Sequence, residues 1–312
     1  MSVCGNEAEL RLCGNVEIVD TFAEAFPMTG ARLIFTAATA AWAETAATVF
    51  CGYASSVIGC DLETAIERRL TPDLTPDLRP GVSVLAFAFS RERLAAALVN
   101  RVGQCILTCP TTACFNGLAA ERDREISVGG QLRFFGDGYQ SSKVIGGRRY
   151  WRVPVMDGEF VCEDRFGTTK GVAGGNLLIC GFTQAQTLAA AERAVQHIAE
   201  LPDVILPFPG GIVRSGSKVG SRYKALRAST NEAYCPTLRS RVVSELPPKA
   251  QAVYELVIDG LTPVAVAQAM RTGLIAAAAM PGIIRITAGN YGGKLGPHHF
   301  RLFDLLDDGS PV

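Results

Sequence analysis

One strand–helix rhythm runs through this chain twice. Asp20-Thr21-Phe22 in the first half falls on Asp164-Arg165-Phe166 in the second, and the same shift carries Leu33 onto Leu177, each just before an apolar strand ends. Further on, a longer shift lays 84–103 over 254–273, matching Arg101 to Arg271 and Gly103 to Gly273. Copies that share an apolar periodicity must bury it in the same way, so a repeat in sequence predicts a repeat in structure. Periodicity predicts strands at 16–21, 32–36 and 82–89 with helices at 40–50 and 91–102. It then predicts strands at 160–166 and 176–181, a helix at 184–199, a strand at 252–259, a helix at 263–278 and a strand at 283–288. This alternation argues for an α/β (α+β) fold of two similar lobes, and 312 residues are enough for each lobe to bury its own core.

The two shifts differ because the second half carries an insertion at 207–249. That segment is rich in glycine and small hydroxyl residues and holds the cations Arg214, Lys218, Arg222 and Lys224. Its first-half counterpart, 71–81, reads as a proline-rich connector with a short tandem repeat, so the insertion is where function is expected.

Composition narrows the function. Lys+Arg and Asp+Glu both number 30, and 48% of residues are hydrophobic, which speaks against a disordered tail and a nucleic-acid-binding surface. Ten cysteines occur without any CxxC, and the three histidines supply no separated ligand pair, so no metal site is expected. Residues 1–11 show neither a basic n-region nor an apolar h-region, and the most apolar stretch, 33–59, is too polar for a membrane span; a reduced, cytoplasmic protein is expected.

Three glycine-rich segments could bring backbone N–H groups to a ligand: Gly171–Asn176, Pro209–Gly220 and Ala288–Gly296. None is a P-loop or a dinucleotide fingerprint, and each also reads as a tight turn. Glu255 lies in VYELVI, where strand alternation sets it on the face of Val253 and Val257; a carboxyl among apolar neighbours has a raised pKa suited to proton transfer. The overlay puts Leu85 at the equivalent place in the first lobe, and the structural alternative for Glu255 is an ion pair with an arginine such as Arg285. Ser215-Gly216-Ser217 lacks a nucleophile elbow, so covalent catalysis is disfavoured, with Cys105 or Cys235 left open. The turn Phe134–Gln140, FFGDGYQ, either walls a planar heterocycle or closes the first lobe, and Trp42 shares that ambiguity.

These segments, with Val19–Phe26, Pro207–Val213, Ser217–Gly220, Ala228–Asn231 and Ala233–Thr237, resemble the formylmethanofuran:tetrahydromethanopterin formyltransferase family nearly end to end. The resemblance implies two ferredoxin-like sandwich lobes, placed here at 1–152, with 1–14 an extension beyond the family's usual start, and 153–312. It implies a homotetramer and reversible transfer of a formyl group from the amine of a furan coenzyme, methanofuran or methylofuran, to N5 of tetrahydromethanopterin. Both coenzymes act as co-substrates, with no tightly bound cofactor or metal. Similar bacterial proteins work as a subunit of a formyltransferase/hydrolase complex during formaldehyde oxidation, so a non-catalytic coenzyme-binding or assembly subunit is the alternative. The family's catalytic glutamate falls on Glu255. Coenzyme contacts are expected from Phe134, Phe135, Asp137 and Tyr139; from Gly174, Gly175 and Asn176; from Gly210, Gly211, Ser215, Ser217 and Lys218; and from Asn290 and Lys294, with Arg214 and Arg222 as further charge partners.

Overall fold

A computed structural model describes residues 10–307. The chain forms two compact units, but they do not divide at 152/153. One is Met28–Gly171; the other joins the described residues up to Pro27 to those from Val172 onward. The reason is a long-range pairing that periodicity cannot reveal. Val16–Val19 lies parallel to Ile283–Thr287, with Glu17 opposite Arg285, so the first strands of the chain belong with its second half. Of the expected 1–14 extension, residues 1–9 lie outside the described residues, whereas Leu10–Cys13 forms a strand antiparallel to Val16–Val19.

Apart from the first residues of its opening strand, which belong to the other unit, each unit repeats one β-α-β-β-α-β sequence. The first is β1 (Phe22–Thr36), α1 (Ala40–Cys51), β2 (Glu63–Leu70), β3 (Gly81–Ala88), α2 (Arg91–Arg101) and β4 (Ala113–Asn116). The second is β5 (Thr169–Gly181), α3 (Gln184–Ile198), β6 (Val204–Ile205), β7 (Ala252–Gly260), α4 (Pro263–Ala278) and β8 (Ile283–Thr287). All these core pairings are antiparallel, in the orders β4-β1-β3-β2 and β8-β5-β7-β6. In both, the first strand sits between the third and the fourth, the ferredoxin-like arrangement.

The helix starts repeat too. Thr39 and Thr183 each accept the backbone N–H three residues on, and so do Ser90 and Thr262, with Pro263 preset in the first helical turn. Small residues on the helix faces let the helices lie close on the sheets: Ala43, Ala46 and Ala47 join Leu33, Phe35 and Val84 in one core, and Ala190, Ala191 and Ala194 join Leu177, Leu256 and Ile258 in the other.

The sheet register corrects one detail of the overlay. Leu33 pairs with Val84 and Leu177 pairs with Leu256, so Val84 rather than Ala86 matches Leu256, and Ser83 rather than Leu85 stands where Glu255 stands. The apolar runs of the two strands slide over each other by two positions without losing alternation, which hides the shift from sequence. Strand β2 escapes a periodicity reading for a related reason. Its buried residues include Glu63, Thr64 and Glu67, and Glu67 is held by both Arg32 nitrogens at 2.6 and 2.7 Å and by Ser83 at 2.6 Å.

Candidate functional site

On β7 the residues alternate between two environments. Tyr254, Leu256 and Ile258 enter the helix-covered core, which leaves Glu255 facing the insertion. The insertion reaches it as a strand-like contact: Val213 and Glu255 exchange both backbone hydrogen bonds, at 2.7 and 3.1 Å. Glu255 is 5% exposed, and Ser217 donates its hydroxyl to Oε1 at 2.5 Å. Among the described residues nothing donates to Oε2, although that atom is buried. Burial pushes the carboxyl up to about 7 against the opposing pull of Ser217, so both protonation states are populated near neutrality. The structural alternative does not hold, because Arg285 is bound by Glu17 at 2.7 and 2.9 Å.

Glu255 borders a cavity of about 40 Å³ whose walls include Arg214, Gly216, Thr230, Asn231 and Cys235. That volume suits a formyl group or a water molecule and is far too small for a ring system. Thr230 also borders a second cavity, of about 730 Å³, which carries the cations Lys218, Arg222 and Arg241 beside the exposed Tyr223. Lys218 is partly neutralised there by Glu232 at 2.5 and 2.7 Å. A small chamber walled by a buried acid thus borders a wide, positively lined groove of ligand-sized volume.

The glycine segments divide sharply in what they do. Gly289 N–H donates to Asn176 Oδ1 at 2.6 Å while the Asn176 amide returns to the Gly289 carbonyl at 3.1 Å, so Asn176 ties β5 to the 289–296 loop. Gly174 has φ +95° and gives its N–H to Asp259; a Cβ on Gly175 would lie 2.5 Å from Val266 Cγ1. Gly174 thus spends its donor within the fold, and Gly175 is hemmed in by packing. Gly210 and Gly211 make a left-handed turn, and the Gly211 N–H is spent on the Phe208 carbonyl. The Asn290 side chain is engaged by Thr21, Phe22 and Gly292, whereas Lys294 is exposed. Ser215 is exposed beside the chamber and bonds to the Gly216 carbonyl.

The family model described as formylmethanofuran-tetrahydromethanopterin formyltransferase matches residues 12–155, and that of its proximal lobe matches 158–305. The chain belongs to this formyltransferase family. A formylmethanofuran–tetrahydromethanopterin formyltransferase of Methylobacillus flagellatus is 55% identical over 95% of this chain and 99% of its own length. A protein of Methylorubrum extorquens, named as one of the subunits of a formyltransferase/hydrolase complex, is 54% identical over 94% of this chain and 96% of its own length. Among solved structures, the formyltransferase/hydrolase complex of that organism with methylofuran superposes with a TM-score of 0.93 at 52% identity, covering 96% of this chain and 99% of the matched chain. The formyltransferase of Methanosarcina barkeri superposes with a TM-score of 0.89 at 49% identity, covering 95% and 100%.

In this formyltransferase-family chain the aromatic turn lies in the Met28–Gly171 unit, where Phe134, Phe135, Asp137 and Tyr139 are all exposed and Asp137 takes a left-handed backbone. Trp42, near the start of α1, is partly exposed in the same unit. Sequence reasoning passed over Asn231, which packs its backbone and Cβ on Gly216 and lines the chamber. The signal was there in the Ala228–Asn231 segment, but nothing local marks that asparagine as facing an acid on a strand 24 residues further on. Among the described residues no cluster of three or more His, Cys, Asp or Glu side chains could hold a metal ion, and no helix is long and apolar enough to cross a membrane.

Proposed function

We propose that this chain catalyses reversible formyl transfer between formylmethanofuran, or its methylofuran counterpart, and N5 of tetrahydromethanopterin, with Glu255 as the group that moves the proton. The observation that carries the assignment is the Glu255 carboxyl at the chamber wall, buried, poised to ionise near pH 7, anchored through Oε1 and with no hydrogen-bond partner at Oε2 among the described residues. Attack of the pterin nitrogen on the formamide carbon forms the new C–N bond and places the charge of the tetrahedral adduct on oxygen. The N5 proton leaves as the adduct forms, and the furan amine takes up a proton as the old C–N bond breaks. A single carboxyl near its ionisation point can accept the first and supply the second. Asn231 and Arg214 both line the chamber, and their side chains are the donors this reading assigns to the oxyanion. The wider groove, with Arg222, Arg241 and Lys218, suits an anionic coenzyme tail.

The test is spectrophotometric formyl transfer with the purified protein beside Glu255→Gln. The amide keeps the volume and the Ser217 contact but cannot titrate, so kcat should fall by about 10²–10⁴ with coenzyme affinity retained. Equal rates would remove Glu255 from the chemistry.

The Methylorubrum relative is named as belonging to a formyltransferase/hydrolase complex, which supports a second reading in which this chain works inside such an assembly. Wild-type turnover that appears only when hydrolase partners are added would establish it, and coenzyme binding with no turnover in either setting would favour a silent assembly subunit. A cytoplasmic homotetramer, as the family resemblance implies, is the proposed state of the free protein, to be checked by sedimentation equilibrium.

A further inference from the structure

Glu24 is a buried carboxylate whose solvent is protein backbone. The residue is 2% exposed on β1, yet Oε2 accepts the N–H groups of Tyr291 at 2.7 Å and Gly293 at 3.0 Å, while Oε1 accepts those of Leu295 and of Gly296 at 2.9 Å. Burial pushes this carboxyl up, but the four backbone donors together hold it below the usual range, so it is an anion at working pH. The Glu24 N–H also donates to the Gly289 carbonyl at 3.3 Å. Gly292 and Gly293 turn the loop with φ of +68° and +73°, and a Cβ on Gly296 would collide with the Ala25 carbonyl. The loop at 289–296 is therefore wrapped around a charge supplied by the protein itself, and four of its amides are spent on that charge instead of on a substrate anion.

What that loop presents outward is the Tyr291 phenol. Its oxygen accepts the Val219 N–H at 2.8 Å and lies 3.4 Å from the Ser217 carbonyl, and Ser217 is the residue whose hydroxyl fixes Glu255. We propose that Glu24 is a positioning residue for formyl transfer: its carboxylate organises the 289–296 loop so that Tyr291 clamps the 217–219 segment and sets the Ser217 hydroxyl on Glu255. The inference rests on the catalytic reading of Glu255 for its kinetic consequence, but not for its mechanical one.

Replacing Glu24 with glutamine leaves one acceptor oxygen and turns the other end of the side chain into a donor that faces two backbone N–H groups. The loop should loosen and Ser217 should leave Glu255. The Glu255 ionisation then rises, because the hydroxyl that favours its charged form is lost. The groups facing Glu255 are Ser217, Arg214, Tyr234, Cys235 and Tyr291, and those facing Glu24 are Tyr291 and His299 on the adjacent strand, so the Glu255 limb can be followed through the variants.

The experiment measures kcat for formyl transfer against pH, and amide deuterium exchange at Val219, in the full-length wild type, Glu24→Gln, Glu24→Asp, Tyr291→Phe and Glu255→Gln. Glu24→Gln is expected to lose at least about tenfold in kcat, to move the limb near pH 7 in the alkaline direction, and to speed Val219 exchange. Glu24→Asp, which keeps the charge, should recover part of each, and Tyr291→Phe should shift the limb in the same direction. A folded Glu24→Gln with wild-type rate, or with a lower rate on an unmoved limb, overturns the proposal. If Glu24→Gln fails to fold, Tyr291→Phe decides, and an unmoved limb with unchanged Val219 exchange overturns it. If Glu255→Gln is fully active, the catalytic reading has failed separately; faster Val219 exchange in Glu24→Gln then still supports the clamp, and unchanged exchange refutes it.

Discussion

Two buried carboxylates in one unit behave in opposite ways because their partners differ. Glu24 has four backbone donors, and Glu255 has one serine. The consequence for stability has opposite signs. The Glu255 ionisation is raised from 4.5 to about 7, so between those values the folded state holds more protons than the unfolded chain, and stability falls as pH rises through that window. Full ionisation at pH 8 should cost on the order of 3 kcal/mol. Glu255→Gln has no such group, so denaturant titrations should show the variant gaining on the wild type from pH 5 to 8. Glu24 is lowered, and its contribution is present at neutral pH and lost as the solution is acidified below the normal carboxylate range. A wild-type stability that is flat from pH 5 to 8 would contradict the assignment of Glu255. At this scale much was legible in the sequence. The apolar flanks of Glu255 mark its raised ionisation, whereas the partners of Glu24 lie some 270 residues away in the chain and carry no local mark.

Glycines and strand alternation decide the elements. Gly175 sits in a glycine cluster that suggests coenzyme contact, but its place in β5 points to packing: α4 comes so close that Val266 Cγ1 lies 2.5 Å from where a β-carbon would sit. Gly175→Ala should therefore lower unfolding stability by about 1–3 kcal/mol, read by urea denaturation, with the KM for both coenzymes unchanged. A raised KM at unchanged stability would return Gly175 to the ligand. Element type was legible for the four long helices because each has a hydroxyl cap and a buried face of alanine or leucine at helical spacing. Strands β2 and β4 and the hairpin of Ser141–Ile145 with Arg148–Val155 were not legible, since their buried positions are polar, few or on exposed strands.

For the whole molecule, the balance of 30 acidic and 30 basic residues means that no overall field draws an anionic coenzyme in; attraction has to come from the local cations of the large cavity. Raising ionic strength from about 0.05 to about 0.5 M shortens the screening length to a few ångströms, so KM for the coenzymes should rise several-fold while kcat stays level. Arg222→Gln combined with Arg241→Gln should raise KM at low salt and flatten its salt dependence. A KM indifferent to salt in the wild type would place the coenzyme tails elsewhere.

The sequence by itself determined the duplicated α/β plan and the four long helices, because these are written in local periodicity; it pointed to the 207–249 insertion, and with the family resemblance to Glu255, as candidates for the chemistry. Only the tertiary structure decided that Val16–Val19 joins the C-terminal unit, that Ser83 and not Leu85 answers Glu255, and that Asn231, Tyr291 and Glu24 converge around the site. Pairing register and the meeting of distant loops are set by which whole surfaces bury best together, and no local stretch of chain holds that information.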